Sequence, residues 1–266
     1  MSAYFLRIVK IVVKIVVFDS GLGSLSVIKK IQNMIKSEII YFADQKSYPY
    51  GIKSQIQLQE IIEKSIRLLQ KYFSPDYIVV ASNTPSLMLN LVTPKIIDVK
   101  PPLEIAEKKS NSKQIGILAT KSAINSKGLT QYIRKKKFPK SFKIFKINGT
   151  NLVDLVESGK FLSDKNYCKK IIRKDLQILS QQEIDVITLS STHLQFLKPL
   201  LKKEFPDVKF IDSGNIVAQK ISSKIKHNKS KRNSLKIFTS GNVKNFQINL
   251  NKLGIKNKVK FLSTWL

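Results

Sequence analysis

Ile78-Val79-Val80-Ala81-Ser82-Asn83-Thr84 is a short apolar, β-branched run ending in a turn of hydroxyl and amide side chains. Further along, the chain repeats it as Val186-Ile187-Thr188-Leu189-Ser190-Ser191-Thr192-His193. Each run leads into an apolar-periodic segment. Where such runs alternate with amphipathic segments, they read as buried parallel strands. Polar residues at their carboxyl ends then stand where open α/β sheets hold their ligands. Two such ends in one chain imply two half-sites meeting over one small molecule.

The same pattern extends in both directions. Ile15-Val16-Val17-Phe18 runs into the turn Asp19-Ser20-Gly21-Leu22-Gly23-Ser24 and then a helix, giving strand, glycine turn and helix start. Free N–H groups at that start favour an anion. Ser26 stands where a dinucleotide fingerprint needs its third glycine, so NAD is disfavoured. Ile39 to Asp44 reads as a second strand, followed by the loop Ser47-Tyr48-Pro49-Tyr50-Gly51 and a helix over residues 54–72. A helix is expected to open over residues 87–91, with Pro85 tolerated at its start. The run 96–99 before Pro101-Pro102 is a plausible crossing point between domains. Gln114 to Thr120, residues 142–147, 208–211 and 235–239 read as further strands, with helices at 152–158 (carrying Glu157) and 165–181. Alternation throughout means α/β with parallel sheets, and two sheets fit better than one.

Composition bounds the function. The 266 residues suffice for one large or two small domains, and a 42% hydrophobic fraction is that of a globular chain with real cores. One cysteine, Cys168, permits no internal disulfide and fits a reducing cytoplasm. One cysteine and two histidines cannot assemble a zinc cluster, so no metal is expected. Residues 4–18 are interrupted by Arg7, Lys10 and Lys14 and are too short for a membrane span. The net charge of +29 is spread along the whole chain, densest over residues 224–236, without a nucleic-acid-binding motif. It predicts nonspecific, salt-sensitive adhesion to polyanions rather than sequence readout.

Seven motifs, in order, resemble the cofactor-independent aspartate/glutamate racemase family. They are DSGLGSLSV from Asp19, YFAD from Tyr41 with YPYGIKS from Tyr48, VVASNTPS from Val79, GILAT from Gly116, LVESG from Leu155, LSSTH from Leu189 and TSGN from Thr239. The DSG turn and the histidine after Ser-Thr are closer to the glutamate branch than to the aspartate branch. The resemblance implies two flavodoxin-like domains, each a doubly wound parallel sheet, related by a pseudo-two-fold with the active site between them. It implies a discontinuous first domain of residues 1–98 and 210–266 and a second of residues 99–209. It also implies glutamate or a related dicarboxylate as ligand, no cofactor and cell-wall precursor chemistry; a homodimer is a further expectation that the resemblance does not settle.

Racemisation at an α-carbon needs a base on one face and an acid on the other. In the family these are two cysteines, and Ser82 and Ser191 stand at those positions here. By the same resemblance Asp19 lies near Ser82, and His193 and Glu157 near Ser191. Ser20, Pro49, Tyr50, Gly51, Asn83, Thr84 and Thr192 correspond to the substrate cradle, with suitable donors for carboxylates. The second motif has drifted further: Ser190 replaces a glycine and Leu194-Gln195 a Tyr-Pro, while Ser24 replaces a glycine in the first turn. A serine hydroxyl is less acidic than a thiol by at least roughly five pH units, costing a directly abstracting base about 7 kcal/mol, on the order of 10⁵ in rate. Cys168, outside every motif, is expected only to pack. Three readings therefore stand open: a slowed glutamate racemase, a catalytically silent dicarboxylate binder, and a hydrolase using Ser191 with His193.

Overall fold

The computed structural model describes residues 12–89, 91, 93–225 and 230–264. The extra amino-terminal residues and residues 226–229 of the basic stretch lie outside the described residues. The chain opens with β1 (Lys14–Asp19), α1 (Ser24–Met34), β2 (Glu38–Ala43), α2 (Gln55–Phe73), β3 (Tyr77–Val80), α3 (Asn83–Met88) and β4 (Ile96–Asp98). It continues through α4 (Leu103–Lys109), β5 (Gln114–Ala119), α5 (Lys121–Asn125), α6 (Lys127–Lys136), β6 (Lys143–Asn148) and α7 (Thr150–Glu157). Next come α8 (Lys160–Ser163), α9 (Lys165–Asp175), β7 (Val186–Leu189), α10 (Lys198–Glu204) and β8 (Lys209–Asp212). It closes with α11 (Gly214–Lys224), β9 (Ser234–Thr239), α12 (Val243–Lys252) and β10 (Val259–Phe261).

Two parallel sheets result. The first has six strands in the order β10-β9-β2-β1-β3-β4, the second four in the order β6-β5-β7-β8. The stretch β2-β1-β3-β4 and the whole second sheet have the same winding, with β5 playing the part of β1 and β7 that of β3. In each, successive strands leave the central one on opposite sides, so a crevice opens beyond the carboxyl ends of β1/β3 and of β5/β7. Phe18 is level with Val80 in one pair, and Leu118 with Leu189 in the other.

The strands are apolar on both faces because helices cover both. Val16, Phe18, Ile40 and Val80 pack beneath Leu58, Ile62 and Leu69 of α2. Ile15, Val17, Ile39 and Val79 pack against α1 and α11 through Ile28, Ile31, Val217 and Ile221. A capping box starts α2: Ser54 Oγ accepts from Gln57 N (3.2 Å) and Gln57 Oε1 accepts from Ser54 N (3.0 Å). Cys168 is fully buried in the core of the second sheet with Ile172 and Leu176.

Three sequence expectations change. The helix after β3 begins at Asn83, not Leu87, because Ser82 is still extended (φ −135°) and Pro85 falls in the first turn, where it needs no N–H donor. The helix expected over residues 165–181 ends at Asp175, and a 3-10 turn (Gln177–Ser180) follows. The return to the first sheet, expected at residue 210, falls inside β8. Register with β7 (Ile187 opposite Phe210) holds that strand in the second sheet, and the chain recrosses through α11. Among the described residues no helix is long and apolar enough to cross a membrane.

Candidate active site

Asp19 ends β1, and its carboxylate is turned back into the glycine turn, where Oδ1 accepts from Gly21 N at 2.9 Å. Tyr41 Oη donates to Gly21 O at 2.5 Å and holds that turn from beneath. The turn has to be glycine-rich. A Cβ on Gly23 would lie 2.7 Å from His193 Nδ1 and 2.8 Å from Asp19 Oδ2, and would strike Thr192 Oγ1.

The second domain meets this turn directly. Glu157, the last residue of α7, accepts through Oε2 from Leu22 N (3.0 Å) and is bonded to His193 Nε2 (2.9 Å). Thr192 Oγ1 donates to Ala81 O (3.1 Å), and Ser26 Oγ donates to Thr192 O (3.0 Å). Tyr48 Oη donates to Asp154 Oδ1 across the mouth at 3.3 Å. On the far flank Gly128 of α6 lies against the Leu87 carbonyl of α3. The two strand ends are thus tied by polar contacts on several sides.

Between them is a cavity of about 610 Å³. Ser20, Pro49, Tyr50, Gly51, Ser82, Asn83, Thr84, Ser191 and His193 line it. Ser82 and Ser191 therefore reach one space from opposite sheets. Three expected site residues stand behind the wall: Asp19 is 1% exposed, Glu157 is occupied by His193 and Leu22, and the Thr192 hydroxyl is used on Ala81 O. The Tyr50 hydroxyl is engaged elsewhere, donating to Asp44 Oδ2 at 3.2 Å.

The sequence reading missed a further arm of the cavity formed by Tyr48, Thr120, Lys121, Ser122, Asn148 and Asp154. Thr120 and Asn148 were findable, because they stand at the ends of β5 and β6 by the same strand-end rule that singled out the turns holding Ser82 and Ser191. Tyr48 and Asp154 carry no such signal; only the approach of the two domains brings them together.

Electrostatics set the site's chemistry. Burial pushes the Asp19 carboxyl up to about 7, against the pull of His193 and the Gly21 amide, with the Glu157 charge adding to the rise and the Ser24 hydroxyl opposing it. A group titrating there exchanges protons readily at neutral pH. Burial alone would drive the His193 imidazole down. The Glu157 hydrogen bond and the charges of Glu157, Asp19 and Asp154 more than reverse that, and it ends above the usual histidine value. No hydrogen bond joins Ser191 to His193 in the described residues, and Nε2 is already occupied by Glu157. Glu157 thereby orients the ring through Nε2 and leaves Nδ1 as the nitrogen that could act as a base. Among the described residues no cluster of side chains could hold a metal ion.

Two quasi-equivalent α/β half-sites, each presenting a hydroxyl to one shared cavity backed by acid–base groups, define a two-sheet α/β protein with a candidate small-molecule site between the strand ends. Residues 15–221 match the Asp/Glu/hydantoin racemase family, and the chain belongs to it. It is a glutamate racemase homologue, 34% identical over 218 residues to the glutamate racemase of Chlorobaculum tepidum, covering 77% of this chain and 76% of that one. The fold matches a glutamate racemase isoform from Bacillus anthracis with a TM-score of 0.82 at 25% identity, over 94% of this chain and 97% of that one. A glutamate racemase of Escherichia coli, solved in complex with L-glutamate and an activator, shares the fold with a TM-score of 0.78 at 23% identity, over 94% of this chain and 98% of that one.

Proposed function

We propose that the cavity takes glutamate, or a closely related dicarboxylic amino acid, and interconverts its L and D forms by moving the α-proton between two opposed groups. The observation that carries this reading is the convergence of Ser82 and Ser191, from separate sheets, on one cavity. In this scheme Asp19 serves the Ser82 side, and His193 with Glu157 the Ser191 side. Each serine relays a proton rather than holding a standing negative charge. Asn83, Thr84, Ser20 and the Pro49-Tyr50-Gly51 turn supply neutral donors for carboxylates. With alcohols where relatives carry thiols, turnover is slow, by a factor on the order of 10⁵ if nothing compensates. The compartment proposed is the cytoplasm, in keeping with a single cysteine that is buried and unpaired. Polyanion adhesion through the basic surface and a homodimer complete the proposed partners.

One experiment tests the reading. The full-length protein is incubated with L-glutamate in D₂O, and α-deuterium and optical rotation are followed together. Deuterium incorporation with inversion supports racemisation. Saturable stabilisation by glutamate without any α-exchange replaces it with a second reading, silent dicarboxylate binding. The absence of a thiol at both positions is the observation that favours that alternative.

A further inference from the structure

Asp19 is held by one oxygen only. Oδ1 accepts from Gly21 N, whereas Oδ2 is buried and has no hydrogen-bond partner. Ser24, the first residue of α1, is fully buried, and its Oγ is also without a partner. A buried hydroxyl and a buried carboxylate oxygen left open in the same turn are each costly, and a small turn of the Ser24 side chain toward Oδ2 would satisfy both. Three neighbouring hydroxyls are already engaged: Tyr41 Oη by Gly21 O, Thr192 Oγ1 by Ala81 O and Ser26 Oγ by Gly23 O and Thr192 O.

We infer that Ser24 is a positioning residue for Asp19: its hydroxyl turns onto Oδ2 and holds the carboxylate ionised and oriented as the base on the Ser82 side. The inference deepens the proposed reaction and rests on it for the role of Asp19. The groups facing Asp19 come from several elements. His193 and Glu157 reach it from the second domain, and Tyr41 from β2, while Tyr48 and Tyr50 of the following loop also feel its charge. Of these the imidazole favours the ionised carboxylate and Glu157 opposes it. Ser24 adds a neutral donor that acts in the same direction as the imidazole but does not titrate itself.

The test reads Asp19 directly. The full-length protein is labelled with ¹³C at aspartate carboxyls, and the Asp19 resonance is assigned by its loss in Asp19→Asn. The wild-type midpoint is expected near 7. In Ser24→Ala it should rise by about one pH unit, as expected on losing one hydrogen bond to a charged group. Ser24→Cys keeps a weaker donor of similar size and should fall between the two. An unchanged or lowered midpoint in Ser24→Ala overturns the inference. If α-deuterium exchange is present, its acid limb should move with the carboxyl midpoint. If exchange is absent while the carboxyl still responds to Ser24, the racemase reading fails and the Ser24–Asp19 pairing stands.

Discussion

Replacing Asp19 by asparagine should change how stability depends on pH, by an amount set by the burial of that carboxyl. In the unfolded chain the group loses its proton near 3.8, and in the folded protein near 7. Between those values the folded state binds more protons than the unfolded one, so the wild type loses stability as pH rises. The penalty is about 1.7 kcal/mol at pH 5 and about 4.3 kcal/mol at pH 8, where it has nearly levelled off. Asparagine keeps an acceptor for Gly21 N and does not titrate. Its own packing cost, including a buried amide beside Ser24, is independent of pH and cancels in the comparison. Urea unfolding of both proteins at pH 5, 6, 7 and 8 should therefore show the difference in unfolding free energy shifting by about 2.6 kcal/mol in favour of the variant. Parallel pH profiles, with a difference constant to within about 0.5 kcal/mol, would mean that Asp19 is ionised throughout. The case for a neutral-pH proton carrier at this position would then fail.

Three further outcomes follow from the same geometry. The double change Ser82→Cys with Ser191→Cys should raise α-deuterium exchange in glutamate by up to about 10⁵-fold, and no gain in a variant that still binds glutamate would count against the two-sided mechanism. In Gly128→Ala the new methyl collides with the Leu87 carbonyl, so α3 and α6 must part; a loss of about 2 kcal/mol or more in stability, with weaker glutamate binding, is expected from calorimetry. Retention on immobilised heparin should be strong at low ionic strength and vanish by about 0.5 M salt without sequence preference among DNA competitors, as distributed lysine charge requires.

Much of the fold was legible because buried parallel strands are written as contiguous apolar runs, and ligand-facing turns as the polar residues that end them. The turns holding Ser82 and Ser191 stood out on that rule, the two serines within them by the family resemblance, and Thr120 and Asn148 could have been found on the rule as well. Helix ends were less legible. The boundary at Asn83 depends on where an extended Ser82 gives way to a first turn containing Pro85, and the end at Asp175 on a 3-10 turn that no glycine or proline announces. The strand at Lys209–Asp212 could not be assigned to a sheet from its residues, since either sheet would accept an apolar run there; only register with β7 decides it.

The residues themselves determined the class of architecture, the doubled half-site and the presence of hydroxyls at both strand ends, because periodicity and turn chemistry are local properties of a chain. The approach of the two domains alone decided which of those groups face the cavity and which stand behind its wall. It set Glu157 between Leu22 and His193, joined Tyr48 to Asp154, and buried Asp19 until its carboxyl titrates near neutrality. Burial and long-range contact are sums over residues far apart in the chain, and no local stretch contains them.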